Sequence, residues 1–166
     1  MLRRWLADFG LNPEMQWLNT LKQQVIAARV DAEPVLVLAD YQLRRFDNTL
    51  FLLKATDVQL PVQSLSWQGE PQLPLPAHCG CLYFSTEPHE GALALTATSG
   101  QWVFGRLSLR FKPAGAANSK PLKQWFKLWQ VPPWQRGRIP LLLAGGKLQL
   151  VAGYASAVAA TAATGW

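Results

Sequence analysis

The hydrophobic period of the chain changes at Pro34, and that change limits the fold more than any other feature. Before Pro34, apolar residues recur at helical spacing; after it, apolar runs are short and punctuated by Pro and Gly. Leu2, Trp5, Leu6 and Phe9 form one stripe, and Gly10 follows as a stop. Asn12-Pro13-Glu14 then offers a cap with proline in the first turn. The helix it opens carries Trp17, Leu18, Leu21, Val25 and Ala28 on one face and ends near Asp31. Two antiparallel helices joined by a short turn are therefore expected.

Past Pro34, Val35-Leu36-Val37-Leu38 and Leu50-Phe51-Leu52-Leu53 read as strands, with a hairpin turn at Asp47-Asn48. This hairpin completes a small helical first domain over residues 1–55. Residues 56–79 hold Pro61, Pro71, Pro74 and Pro76 around one strand at Leu65-Ser66-Trp67, and read as a connection. The second domain, residues 80–158, is mainly β. Strands are expected at 82–84, 92–97 and 101–111, the last broken by a bulge at Gly105. One main helix spans residues 119–130, capped by Asn118 or Ser119, with Leu122, Trp125, Phe126 and Trp129 on its apolar side and Val131-Pro132-Pro133 ending it. Residues 139–143 and 147–154 pair about Ala144-Gly145-Gly146. A small-residue tail covers 159–166. The expected class is α+β: a small helical domain with a β-hairpin, then a β-rich domain with one main helix.

Hydrophobic residues make up 49% of the 166, enough for real cores, while 8 Trp, 12 Pro and only 16% charged residues exclude a coiled coil. The net charge of +6 is unevenly placed. The first 90 residues hold 7 Lys or Arg and all 10 Asp and Glu, whereas the last 76 hold 9 Lys or Arg and no acid. A field of one sign over so long a stretch attracts polyanions. Two cysteines are too few for a disulfide framework, which points to the cytoplasm. Asp8 and Gly10 interrupt any signal peptide beginning at Arg3-Arg4. Residues 148–166 lack charge, yet Gln149, Gly153, Ser156, Thr161, Thr164 and Gly165 leave them less apolar than a membrane span needs, so no membrane partner is expected.

Lys120, Lys123 and Lys127 fall at i, i+3 and i+7 of the main helix, a row that can neutralise successive phosphates or simply form a solvated face. Trp134, Arg136 and Arg138 follow. Guanidinium groups beside an exposed indole grip phosphate or stack on bases; the alternative buries Trp134 beneath the helix. His78, Cys79, Cys81 and His89 have metal-ligand chemistry, but Cys-x-Cys falls short of the paired spacing of a structural zinc site, and small buried thiols are the default. Glu87 and Glu90 read as a turn, not an acid/base pair. No phosphate-cradling loop, His-Glu-x-x-His or nucleophile elbow is present.

The string Ser119-Lys120-Pro121-Leu122-Lys123-Gln124-Trp125-Phe126, followed by Val131-Pro132-Pro133-Trp134-Gln135-Arg136-Gly137-Arg138-Ile139-Pro140-Leu141-Leu142, closely resembles the C-terminal domain of tRNA(Ile)-lysidine synthetases. Leu2-Arg3-Arg4-Trp5-Leu6, Ala27-Ala28-Arg29-Val30-Asp31-Ala32 with Pro34, Leu43-Arg44-Arg45-Phe46 and Leu50-Phe51-Leu52 resemble the family's middle, substrate-binding domain in the same order. The family uses ATP to adenylate the wobble cytidine of an isoleucine tRNA with anticodon CAU, then joins lysine to that carbon. The resemblance places this chemistry, with ATP and magnesium, in an N-terminal ATP-pyrophosphatase domain ahead of Met1, and no cofactor on these residues. It implies a tRNA-binding part that does not itself catalyse, with tRNA contacts at Lys120, Lys123, Lys127, Trp134, Arg136, Arg138, Arg3 and Arg4, and a homodimer as a further association. A non-catalytic protein-interaction module with a basic face is the alternative.

Overall fold

The N-terminal stripe folds as α1 (Leu2–Ala7), which buries Leu6. Gly10, at φ +72°, turns the chain so that the Leu11 N–H reaches back to the Leu6 carbonyl at 3.0 Å. The computed structural model describes residues 1–87 and 89–158, so the expected tail at 159–166 lies outside the described residues. The chain divides into two compact units, Met1–Val58 and Gln59–Trp166.

In the first unit, α2 (Met15–Leu21) takes Glu14 as its N-cap, later than the Asn12-Pro13 cap would place it, and Pro13 is buried ahead of it. It widens into a π-helical turn, Lys22–Ile26, where the Ala27 N–H bonds the Lys22 carbonyl. The expected helix to Asp31 stops short at Ala27. Arg45 explains the stop: its guanidinium donates to the carbonyls of Ile26, Ala28 and Arg29, each at 2.6 Å, offering these groups partners outside a helical ladder.

Strands β1 (Val35–Leu38), β2 (Tyr41–Phe46) and β3 (Thr49–Lys54) form an antiparallel sheet in that order. Asp47 and Asn48, at φ +46° and +58°, make the expected hairpin turn, a conformation that short polar side chains tolerate. One face of the sheet, with Leu36, Leu43 and Leu52, closes on Leu6, Leu21 and Val25. A short helix, α3 (Ala55–Val58), ends the unit.

The Pro-rich stretch expected as a connection contributes strands to the second unit. Here β4 (Leu65–Trp67) pairs with β7 (Gly100–Val103), and β5 (Gln72–Pro74) pairs with β6 (Cys81–Tyr83). The main sheet is antiparallel, in the order β12 (Ala155–Ser156), β11 (Lys147–Val151), β10 (Leu141–Ala144), β7, β4. Gly145 and Gly146, both at positive φ, form the expected turn between β10 and β11. Residues 92–97 are not a strand: Leu93, Leu95 and Ala97 pack on Trp67 and Trp102 without entering a ladder. Nor does one strand run over residues 101–111. Gly105, at φ +71°, lies between β7 and the separate β8 (Arg110–Phe111), marking a turn where a bulge was expected.

The main helix is shorter than its sequence pattern. Lys120 and Pro121 form β9, paired with β8, and α4 spans Leu122–Leu128. Neither Asn118 nor Ser119 caps it; Pro121, whose ring has no acceptor, stands at the cap position, and the Leu109 and Leu107 carbonyls take the Leu122 and Lys123 N–H groups at 2.8 and 3.0 Å in place of a capping side chain. A further turn, α5 (Pro133–Arg136), follows.

β7 approaches β10 so closely that a Cβ on Gly100 would lie 2.5 Å from the Leu143 carbonyl oxygen and 2.9 Å from Leu142 Cδ1. Gly100→Ala is therefore expected to lower stability by about 1–3 kcal/mol. Urea unfolding reads this as a lower midpoint at unchanged slope; an unchanged midpoint would mean that the strands separate without loss.

Candidate nucleic-acid interface

The burial of Leu122 and Phe126 fixes which way α4 turns its lysines. Lys123 and Lys127, four residues apart on one exposed side, point to solvent one turn from each other. Lys120 does not extend that row, because it sits in β9 opposite Phe111. Its ammonium lies 5.1 Å from the centroid of the Trp125 ring, a cation–π contact. The proposed three-lysine row is thus a pair on the helix and a third cation placed over an aromatic ring.

Trp134 is 6% exposed on α5, so its ring faces are covered and it cannot stack on a base. The buried alternative holds for this residue. Arg136, half-buried, donates from Nε to the Val131 carbonyl at 2.9 Å, bracing the chain across Pro132-Pro133. Arg138 donates to the carbonyl of Gln59 and, at 3.2 Å, to that of His78. It ties the start of the second unit to the turn before β6. In the first unit Arg3 and Arg4 are exposed along an open groove with Gly10 and Asn12, and Arg3 makes a long 3.5 Å contact with the Pro13 carbonyl.

Sequence reasoning assigned the stacking role to Trp134 and left Trp125 and Trp129 in the core. Both are only half-buried, and they stack with ring centroids 5.8 Å apart and planes 22° from parallel. Trp129 in turn stacks on Tyr154 at 5.5 Å and 15°. The spacing of Trp125 and Trp129, four residues apart, was the available signal. Tyr154 gave none, because it arrives from the turn after β11.

Other chemistry is sparse. Burial pushes the Cys79 thiol up, against the opposing pull of Arg138, and a thiol held neutral is a poor nucleophile. Among the described residues no three His, Cys, Asp or Glu gather into a metal cluster. His89 and Ser85 meet at 3.0 Å, and both are exposed. No helix among the described residues is long and apolar enough to cross a membrane.

Comparison with known proteins matches both halves of the chain. Residues 1–51 match the TilS substrate binding domain, and residues 101–166 match the TilS substrate C-terminal domain. The chain is 41% identical over 152 residues to a tRNA(Ile)-lysidine synthase of Serratia proteamaculans, an alignment covering 86% of this chain and 32% of that protein. It is 37% identical over 172 residues to the enzyme of that name from Yersinia pseudotuberculosis, covering 92% and 37%. With that of Coxiella burnetii it shares 31% over 162 residues, covering 93% and 35%. The chain spans about a third of the length of these relatives. The two matched domains, in the family's order and on residues that fold into separate units, establish that the chain belongs to the tRNA(Ile)-lysidine synthetase family, as its substrate-binding and C-terminal region.

Proposed function

We propose that this chain is the tRNA-recognition portion of a tRNA(Ile)-lysidine synthetase, acting in the cytoplasm and binding tRNA without catalysing. The lysine ligation at the wobble cytidine of a CAU-anticodon tRNA, with its ATP and magnesium, belongs on this reading to parts of the family's protein outside these residues. One observation carries the reading: α4 presents Lys123 and Lys127 to solvent within residues 91–158, a stretch with no Asp or Glu. An ammonium pair on a stretch of chain without carboxylates keeps more of its field for an incoming phosphate. Lys120 adds a third cation on the second unit, and Arg3 and Arg4 supply two more on the first. Arg136 and Arg138 serve mainly as braces, since their guanidinium groups already donate to backbone carbonyls.

An electrophoretic shift with tRNA at two salt concentrations tests the reading directly. Binding by several cations loses affinity steeply as salt rises, whereas salt-insensitive or absent binding would favour a protein partner for the basic face.

The division between contact and brace has its own test. Replacing Lys123 and Lys127 together by Ala is expected to reduce the slope of log affinity against log salt by about one to two units. Melting temperature should hold, because solvated charges contribute little to folding. Arg136→Ala is expected to do the reverse, lowering stability by about 1–3 kcal/mol as the Val131 carbonyl loses a charged donor, with the salt slope unchanged. A slope that falls with Arg136→Ala at constant melting temperature would move that residue to the RNA.

A further inference from the structure

We propose that the aromatic ladder Trp125, Trp129 and Tyr154, closed at one end by Lys120 and open at Tyr154, is a stacking platform for an unpaired nucleobase of the bound RNA. The inference rests on the tRNA-binding reading above and adds to it a contact with a base.

The ladder is built like a rigid receptor. Trp125 is oriented by its Nε1–H, which donates to the Phe111 carbonyl at 2.8 Å, and its ring lies beneath the Lys120 ammonium. Trp129 stacks between Trp125 and Tyr154, with planes within 22° of parallel on both sides. Phe126, fully buried, meets Trp129 and Tyr154 edge-on at 5.9 and 6.3 Å, wedging both rings from the core side. Tyr154 itself is held in a turn after Gly153, at φ +77°, by its N–H to the Val151 carbonyl at 3.0 Å. Rings fixed in this way lose little further freedom when a ligand arrives.

Tyr154 is 39% exposed although one face meets Trp129 and an edge meets Phe126. A ring that only filled the core would be covered; among the described residues the column of parallel rings ends at Tyr154, which is exposed. The charge around it selects the occupant. Lys120 belongs to the ladder, Lys112 is exposed next to Phe111, and no carboxylate side chain occurs from residue 91 to 158. Flat aromatic surface carried by a segment that is rich in Lys and holds no Asp or Glu fits a base with its phosphate attached. Bases within a duplex already stack on their neighbours, so the platform takes only a base from a loop or a strand end.

Fluorescence anisotropy provides the test, with two labelled probes at one salt concentration: an oligoadenylate of about a dozen nucleotides and a blunt RNA duplex. Tyr154→Leu keeps apolar bulk against Phe126 but removes the ring; Tyr154→Phe keeps the ring. Tyr154→Leu is expected to weaken oligoadenylate binding about tenfold, leaving duplex binding and the salt slope unchanged, while Tyr154→Phe binds both probes as the wild type does. Oligoadenylate binding unaffected by Tyr154→Leu would overturn the platform, and tRNA binding by the wild type would then still stand. An equal loss on both probes with a lowered melting temperature would also overturn it, assigning Tyr154 to packing. A wild-type chain that binds neither probe nor tRNA would overturn the platform and the tRNA-binding reading together.

Discussion

The second unit depends on β10, which buries Leu141 and Leu142 completely, side by side, in two different cores. On one face Leu141 joins Val103, Phe111, Leu122 and Phe126, drawing α4 onto the sheet. On the other Leu142 joins Trp67, Trp102 and Leu150. Alternation alone would put Leu148 and Leu150 on one face. A register shift between Leu142 and Leu143 separates them, so that Leu148 supports the α4 side and Leu150 the tryptophan side. The outward direction of Lys123 and Lys127 is a consequence of this strand, because α4 can bury Leu122 and Phe126 only by facing it.

What the sequence made legible was local. The turns at Asp47-Asn48 and Gly145-Gly146 were readable because positive φ at two successive residues demands those residue types. The α+β class followed from the change of period at Pro34. Features set by distant partners were not readable. Nothing near Ala28 announces that Arg45, near the end of β2, takes the carbonyls of residues 26, 28 and 29 and so ends the helix. The shortening of α4 has the same origin, since pairing of Lys120 with Phe111 claims residues that helical spacing would include. Residues 92–97 alternate as a strand does, yet their apolar side chains pack without a ladder.

The candidate site divided along a chemical line that sequence spacing cannot see. Sequence spacing treats arginine and lysine alike as cations, but several of the arginines turn back onto the chain's own carbonyls: Arg45, Arg110, Arg136 and Arg138 all donate to backbone oxygens. A planar fork of five donors satisfies carbonyls that a turn leaves open, and its charge is retained there. Lysine has a flexible stem and a strongly hydrated head, so it gains less from such a place and stays in water. Lys123 and Lys127 do so on α4. Basic residues in this chain therefore serve two purposes, and the side chain's geometry, more than its position in a motif, separates them.

The cation pair and the aromatic ladder are not on one side of α4. Trp125 lies two residues from both Lys123 and Lys127, and helical positions two apart do not face each other. A rigid duplex laid along the lysine flank would leave the ladder unfilled. An RNA that engages both must present a phosphate backbone on one flank and turn a free base toward the other, as happens where a stem gives way to an unpaired strand. Lys120, fixed over Trp125 and apart from the helical pair, supplies charge on the ladder's own side. On the proposed reading, the electrostatic contacts set affinity for any RNA, and the requirement to reach around α4 selects shape.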